Sequence, residues 1–512
     1  MVVDAAEYEA LVAQNRELKA MVATLTEKVG LLTRSLYAPK TEKTIATDEQ
    51  PRLFNEAEVE AGGSDKSAGD TADGIKIAAH TRTPRRGHTI DYDLLEREVE
   101  QHTLEGDECI CPTCSGTLHD MGYDSSFEVR VIPRRLYLHE DRYHKYACRT
   151  CQKDDVATPI LMPAKTQRAF SGSIASASLV SHITCNKYHL HLPLYRQEAD
   201  LKSQGIEISR QTMANWVIAA AEWIEPLWVL MREELIGREV LHADETTLEV
   251  LKSKTAKNSS TRSYMWVYLS DAEHPLILYD WQKSRATTCA KQFLGDFSGY
   301  LHTDGYEAYH KLDHITNVGC WAHARRKFDE ALKIIDVTSR AESVAAMALA
   351  MINRLFALER EYTDRGLDST ERYEARLTHS KPVMDELFEY VSSAGVLPKS
   401  TTGKACAYAL GQRPYLENVL LDGRLELSNN VAERAIKPFV IGRKNWLFAN
   451  TPKGARASAT LFSIIESAKA NGLVPEAYLT WLLETLPNIT TDRLPELLPY
   501  SESLPSQLHN PA

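Results

Sequence analysis

The chain has 512 residues, of which 43% are apolar and 25% charged, and its formal net charge is −11. This length exceeds a single hydrophobic core, so several domains are expected, and the composition is that of a soluble globular protein. The acidic balance argues against a protein that simply coats nucleic acid, because non-specific affinity comes from neutralising phosphates. The sequence contains no apolar run of about 18 residues, which is the length that would predict a membrane span. The N-terminus also lacks the basic-then-apolar order of a signal peptide, so we expect a cytoplasmic protein that does not bind membranes.

A heptad repeat runs through residues 1–37. Its two core positions hold, in turn, Tyr8, Asn15, Val22, Val29 and Leu36, and Leu11, Leu18, Leu25 and Leu32. β-Branched residues at the first position with Leu at the second favour a parallel two-stranded coiled coil, in which a polar Asn15 selects the register. We therefore predict a leucine zipper that forms a homodimer through residues 8–36; the alternative is a single amphipathic helix packed on the rest of the chain. Residues 38–90, polar over most of their length, are predicted to be a flexible linker.

Five of the nine cysteines fall between positions 109 and 151. Four of them form two CxxC pairs, Cys111 with Cys114 and Cys148 with Cys151. A strand-like stretch rich in Val, Tyr and Arg joins the pairs, and two such pairs on a β-hairpin are typical of a zinc ribbon with four thiolates around one structural Zn²⁺. We predict this ribbon in residues 91–165, with Cys109 as a substitute for Cys111 and unrelated thiols as the alternative. The basic hairpin could also lie along phosphates.

Residues 166–236 contain three predicted helices. Ser209 is expected to cap the third, whose buried face carries Met213, Trp216, Val217 and Ala220 at helical spacing. Near the N-terminal end, off that face, stand Arg210, Gln211 and Asn215. A helix-turn-helix presents base-reading side chains at this position, and these three residue types suit bidentate contacts with bases. The alternative is a plain helical bundle.

The pattern changes to strands from residue 238. Three alternating segments predict an antiparallel meander, followed by a helix near 286–295, a short strand in GYLHTDG, a strand near 315–320 and a helix beginning at WAHARRKFDEALK. This is the element order of a ribonuclease H core, a mixed sheet flanked by helices. We assign the first part of that core to residues 237–330, an all-helical insertion to 331–414, the last part to 415–470 and a tail region to 471–512.

Two aspartates stand at adjacent places in this predicted sheet. Asp244 lies in the first strand and Asp304 at the end of the fourth, and in this topology the two strands are neighbours. A carboxylate in a largely buried strand is costly unless it is compensated, and a divalent cation compensates it directly. Together the two aspartates therefore predict a Mg²⁺ (or Mn²⁺) site.

The third acid of such a site is expected from a later helix. Glu433 lies in the first turns of a predicted helix that Asn429 and Asn430 begin. The alternative for Glu433 is a surface ion pair with Arg434 or Lys437. Two rival ligands are Glu426 and Glu245, and the side chain of Glu245 is expected on the strand face opposite Asp244.

Several of these segments resemble one known family. HADET, HTDGYEAY, GCWAHARRKF, NNVAERAIKPFVIGRKNWLFA and ESAKANGLVPEAYL, with CPTC…CRTC and KYHLHLPLYRQE upstream, resemble the TnpC-type DDE transposases, the bacterial insertion-sequence transposases of the sixty-sixth group. The resemblance covers about residues 110 to 485. Its catalytic acids match Asp244, Asp304 and Glu433. Thr247 stands where the family commonly has Pro, Ser428 where it often has Asp, and its motif after the zipper is only loosely kept in YAPKTEK.

The resemblance implies a multidomain α+β protein with an N-terminal coiled coil, a zinc ribbon, a helix-turn-helix and a ribonuclease H-like mixed-sheet catalytic core with an all-helical insertion. It implies two-metal DNA cleavage and strand transfer on element ends and target DNA, in a nucleoid-associated protein with possible accessory transposition proteins. Phosphates are expected at Arg443, Lys444 and Arg456, and Trp446 either stacks on a base or packs in the core. Two rival functions remain: a zinc-containing dimeric DNA-binding regulator with an inactive nuclease fold, and a nuclease without strand transfer.

Overall fold

The computed structural model describes residues 14, 99, 135–147, 160–165, 167–252, 261–270 and 273–510. Residues 167–510 belong to one compact unit and residues 135–165 to another. In the second unit, strands β1 (Tyr146–Ala147) and β2 (Ile160–Leu161) pair antiparallel. All of the predicted zipper except residue 14, the whole of the predicted linker and the four predicted zinc ligands lie outside the described residues.

Three helices open the larger unit, in agreement with the sequence-based expectation. They are α1 (Ala177–Tyr188), α2 (Leu194–Ser203) and α3 (Arg210–Ile236). Ser209 caps α3 by accepting a hydrogen bond from the backbone N–H of Thr212, 3.2 Å away, as its position before the apolar pattern predicts. The predicted face of α3 is buried, and α3 packs against both α1 and α2. Their use as a helix-turn-helix on DNA stays a prediction.

A mixed sheet forms the centre of this unit. Its strands are β3 (Val240–Val250), β4 (Thr261–Ser270), β5 (Leu276–Gln282), β6 (Tyr300–Thr303), β7 (Thr316–Gly319) and β8 (Phe448–Ala449). The spatial order is β5-β4-β3-β6-β7, with β8 beside β3. The first three strands form the predicted antiparallel meander, whereas β6 and β7 run parallel to β3. Helix α4 (Thr287–Leu294) and the single turn α5 (Glu307–His310) flank β6 in sequence.

The chain leaves the sheet after β7 and is helical until it returns. The α-helices are α6 (Trp321–Ile334), α7 (Val344–Asp364), α8 (Ser369–Ala375), α9 (Lys381–Ser393) and α10 (Thr401–Leu416), with a π-helical turn at Arg376–Ser380. Their core joins Trp321 and Phe328 of α6 to Ile352, Leu387 and Phe388. These helices lie where the sequence predicts an all-helical insertion, between the two parts of the sheet region.

The last helices pack back on the sheet. They are α11 (Asn430–Trp446), α12 (Pro452–Ala470) and α13 (Pro475–Thr485), followed by 3-10 turns. Helix α12 covers the edge strand β5, because the hydroxyls of Ser463 and Ser467 accept hydrogen bonds from the backbone N–H groups of Tyr279 (2.8 Å) and Ile277 (2.9 Å). These serines satisfy backbone donors that an exposed edge would leave open to another strand. Across the described ranges, no helix is long and apolar enough to cross a bilayer.

Candidate active site

The strand register places Asp244 beside Asp304. Strands β3 and β6 pair in parallel with His242 opposite His302, so two residues further along the same register brings position 244 opposite position 304. Asp304 follows the last residue of β6 directly, and its carboxylate accepts the backbone N–H of Tyr306 at 3.0 Å. The register of this sheet therefore brings the two aspartates close together, as the predicted strand order implies.

The surroundings of Asp244 strongly shift the pKa of its carboxyl group. Burial, the charge of adjacent Glu245 and then the charges of Asp304 and Glu433 together raise its pKa to about 8. Its one opposing contact is the backbone N–H of Glu245, 2.8 Å from Asp244 Oδ1. Glu433, far away in sequence, is thus close enough to act on the same carboxyl group as Asp304.

Asn429, directly before α11, ties the helix carrying Glu433 to the strand carrying Asp244. Its side-chain amide donates to the backbone carbonyl of Ala243 at 2.8 Å, and its Oδ1 lies 3.1 Å from His242 Nδ1. The backbone carbonyl of Asn429 accepts the N–H of Glu433 at 3.2 Å, and the side chain of Asn429 is buried. One residue thereby fixes the start of α11 against β3, only two positions from Asp244.

The carboxylate of Glu433 contacts a histidine and an arginine on α6. His323 Nε2 lies 3.2 Å and Arg326 Nη2 3.7 Å from Glu433 Oε1. The hydrogen bond from His323 lowers the pKa of Glu433 despite partial burial. These partners differ from Arg434 and Lys437, the surface partners weighed from the sequence. His323 and Arg326 both belong to the HARRK segment of α6. The sequence shows that this segment is basic, but it does not show which acid the segment contacts.

Glu245 occupies a different environment from Asp244. Its side chain has no exposed surface; it pairs with Arg285 and accepts the hydroxyl of Tyr309 at 2.5 Å. Burial raises the pKa of Glu245, while the bonds from Tyr309 and Arg285 oppose that rise. Glu426, the other rival ligand, contributes its backbone N–H to His302 Nε2 at 3.4 Å. Sequence reasoning missed Arg285, which lies in a turn and carries no periodic or motif signal.

A pair of histidines lies behind the aspartates. His242 and His302 stack with ring centroids 4.4 Å apart and planes 10° from parallel, and both are buried. Burial holds the pKa of His302 well below its usual range, so this ring is neutral at physiological pH. The stack packs neighbouring strands together two residues before each aspartate.

The predicted DNA-contacting residues fall into different environments. Arg210, Gln211 and Asn215 are all exposed, and Gln211 donates to Asn215 Oδ1 at 3.1 Å. Lys444 and Arg456 are exposed as well, with the guanidinium of Arg456 5.8 Å from the ring centroid of Trp281.

Two residues of α11 face inward instead. Arg443 is half-buried and donates to the hydroxyls of Thr246 and Thr247, each at 3.1 Å, and to the carbonyl of Thr247. Trp446 packs edge-on to Tyr188, with centroids 6.1 Å apart, and lies near Phe462. Of the two interpretations of Trp446, core packing agrees with these contacts.

No three His, Cys, Asp or Glu side chains in the described part of the chain are grouped closely enough to hold one metal ion. Asp244 and Asp304 are adjacent, whereas Glu433 is occupied by His323 and Arg326. The carboxylates thus form an acidic cluster rather than an assembled coordination sphere.

Three family models match the sequence. A model described as "Transposase IS66 family" matches residues 172–457, one described as "IS66 C-terminal element" matches 463–500, and one described as "zinc-finger binding domain of transposase IS66" matches 108–152. The last match spans all four cysteines of the predicted ribbon and supports a zinc-binding domain there.

Three curated proteins of Sinorhizobium fredii are similar over nearly the whole chain. "Uncharacterized protein y4qI" is 33% identical and "Uncharacterized protein y4hP" 30% identical, covering 95% and 94% of this chain and 89% and 88% of the relatives. "Uncharacterized protein y4jD" is 28% identical and covers 96% of this chain and 97% of that relative.

Proposed function

The chain belongs to the IS66 transposase family, and we propose that it cuts element-end DNA and transfers the cut strand through Asp244, Asp304 and Glu433. The observation that carries this proposal is the shared electrostatics of these acids. After burial and Glu245, the charges of Asp304 and Glu433 add to the raised pKa of Asp244, although the three residues are distant in sequence. Like charges gathered in a partly buried place are typical of catalytic and metal-binding sites.

The fold supports the same proposal. A three-strand antiparallel meander, with two further strands parallel to its first strand and helices between them, has the order expected of a ribonuclease H-like core. We assign this core to the sheet of residues 240–319 together with α11. The helical segment between β7 and α11 then separates the second acid from the third.

The donor set fits a magnesium or manganese ion by its chemistry. All three acids offer carboxylate oxygens, which Mg²⁺ prefers, and a divalent cation would relieve the repulsion among them. Asp244 and Asp304 would hold it, and Glu433 would exchange its contact with His323 for the ion. When bound, divalent ions at these acids supply Lewis-acid stabilisation of the attacking and leaving oxygens in phosphodiester transfer.

The chain's own residues then have distinct tasks. Asn429 orients α11 so that Glu433 approaches β3, and His323 with Arg326 keeps Glu433 ionised. The exposed N-terminal end of α3 is assigned to base contacts, and Lys444 and Arg456 to phosphates. The ribbon would bind one structural zinc ion and the zipper would pair two protomers, which allows two element ends to be held together.

A cleavage assay tests the proposal. The purified protein is incubated with a labelled duplex that carries one element end, with Mg²⁺ or Mn²⁺, beside Asp244→Ala and a matched control, Asp313→Ala. Asp313 is an exposed aspartate 72% accessible at its side chain and paired with Lys291. Nicking and joining are expected for the wild type and the control, and loss of both for Asp244→Ala.

The other outcomes select the rival functions. Binding without nicking by the wild type would favour the zinc-containing dimeric regulator with an inactive nuclease fold. The contact of Glu433 with His323 and Arg326 supports the regulator, because it occupies the third acid. Nicking without joining to a target duplex would leave a nuclease that lacks strand transfer.

A further inference from the structure

Arg285 is a cation at the rim of the acidic site that the functions above leave unused. It lies in the turn between β5 and α4, with its Nε bonded to Glu245 and its Nη2 3.8 Å from Asp304 Oδ2. The guanidinium carbon lies 3.7 Å from the ring centroid of Tyr306, and the hydroxyl of Tyr306 donates to the backbone carbonyl of Arg285 at 2.9 Å. The bond to Glu245 and the ring of Tyr306 therefore hold the guanidinium, and the hydroxyl of Tyr306 holds the backbone of the same residue, before any substrate arrives.

The terminal nitrogens of Arg285 remain available for a ligand. Its side chain is 36% exposed, and 3.8 Å to Asp304 is an ion-pair distance too long for a hydrogen bond. Within the described ranges, neither Nη1 nor Nη2 donates a hydrogen bond, so four of the five guanidinium donors are unused. A planar fork of donors, preorganised and partly accessible, matches the oxygens of a phosphate.

We propose that Arg285 binds a phosphodiester group of the DNA strand that is cut, beside Asp304. This inference rests on the proposed function of the acidic site. Phosphoryl transfer builds negative charge on the phosphate oxygens, and a fixed guanidinium next to the carboxylates stabilises that charge without reorganising. The stacking on Tyr306 and the bond to Glu245 set the direction of the guanidinium plane.

The competing explanation is that Arg285 only neutralises the buried carboxylate of Glu245. Replacing Arg285 alone would then leave an unpaired buried charge and lower stability, whichever explanation holds. The double variant Glu245→Gln, Arg285→Gln separates the two, because it removes both charges together and leaves no unpaired buried carboxylate. A purely structural pair would be dispensable in that variant, whereas a phosphate ligand would still be missing.

The first measurement is the salt dependence of DNA affinity in EDTA, with the same labelled element-end duplex. For the double variant, the slope of log affinity against log salt is expected to fall by about 0.9, the contribution of one neutralised phosphate on duplex DNA. The matched control is Lys291→Gln, Asp313→Asn, which removes an exposed ion pair of 3.3 Å on and near α4. The control is expected to keep the wild-type slope. A wild-type slope in the double variant overturns the proposal, whatever its nicking rate.

The second measurement uses Arg285→Lys, which keeps the charge beside Glu245 and so protects folding. Its nicking rate at saturating duplex is expected to fall at least about tenfold at an unchanged melting temperature, because an ammonium is a point charge and not a fork. A wild-type nicking rate in this variant also overturns the proposal. If the wild-type protein binds but never nicks, the proposed function fails, and the salt slope still decides the role of Arg285.

Discussion

Asp244→Asn is expected to stabilise the metal-free protein at alkaline pH while it abolishes cleavage. The pKa of Asp244 is raised from 3.8 to about 8, by burial and by the charges of Glu245, Asp304 and Glu433. A carboxyl group with a higher pKa in the folded than in the unfolded state binds its proton more tightly when folded. The free energy of unfolding of the wild type therefore falls as pH rises from about 4 to about 8 and levels off above.

The magnitude follows from the size of that rise. Each pKa unit corresponds to about 1.4 kcal/mol, so the rise from 3.8 to about 8 lowers stability by up to about 6 kcal/mol at pH values above 8. Asparagine keeps the shape, and its Oδ1 can still accept the backbone N–H of Glu245. The variant should thus gain stability over the wild type by at most about 1.4 kcal/mol for each pH unit in this window.

Thermal unfolding in EDTA at pH values from about 5 to about 9 measures the effect. The chain contains more than one compact unit, so the midpoint temperature is compared between proteins and no two-state free energy is extracted. The midpoint gap should widen by up to about 2 °C per pH unit, and Mg²⁺ should close it by stabilising the wild type alone. A gap that stays constant from pH 5 to pH 8, or that grows equally in Asp313→Asn, refutes the reasoning.

Three further predictions concern other parts of the chain. Arg376→Met should lower the midpoint temperature of thermal unfolding by several degrees, because its buried guanidinium bonds a carboxylate and three backbone carbonyls, and breaking a buried ion pair costs about 3 to 5 kcal/mol. The exposed Lys381→Met should lower the midpoint by no more than about 1 to 2 °C, because a surface ion pair contributes about 1 kcal/mol or less. Asn429→Ala should slow nicking at least about tenfold with unchanged affinity for the element-end duplex in EDTA; an equal loss of affinity would contradict a positioning role. Elemental analysis should detect zinc in the wild type and in Cys185→Ser, which changes a buried free thiol, but not in Cys114→Ser.

The elements of the larger unit could be predicted because each carries a local signal. The alternation in the meander and the apolar spacing in α3 and α6 depend only on residues near in sequence. Asp244 and Asp304 could be placed together because strand order follows from topology, and β3 and β6 are indeed neighbours. Glu433 could be chosen because Asn429 and Asn430 indicate where its helix begins.

The partners of the charged side chains could not be predicted in the same way. His323 and Arg326 reach Glu433 from a helix more than a hundred residues earlier, and no pattern in the sequence encodes that contact. Arg443 was expected at phosphates, but its guanidinium donates to threonines of β3, so a phosphate would have to share it. Such contacts depend on how the helices pack on the sheet, and local sequence patterns do not specify that tertiary packing.

The helical segment between β7 and α11 also introduces a delay into the synthesis of the chain. The two aspartates leave the ribosome well before the helix that carries Glu433, by on the order of 10 s at ordinary rates of synthesis. Throughout that interval the growing chain has its early helices and most of its sheet, but not the residue that completes the acidic trio. On the proposed function, a chain that ended within the segment would contain the helices assigned to base contacts and the two aspartates, but not Glu433.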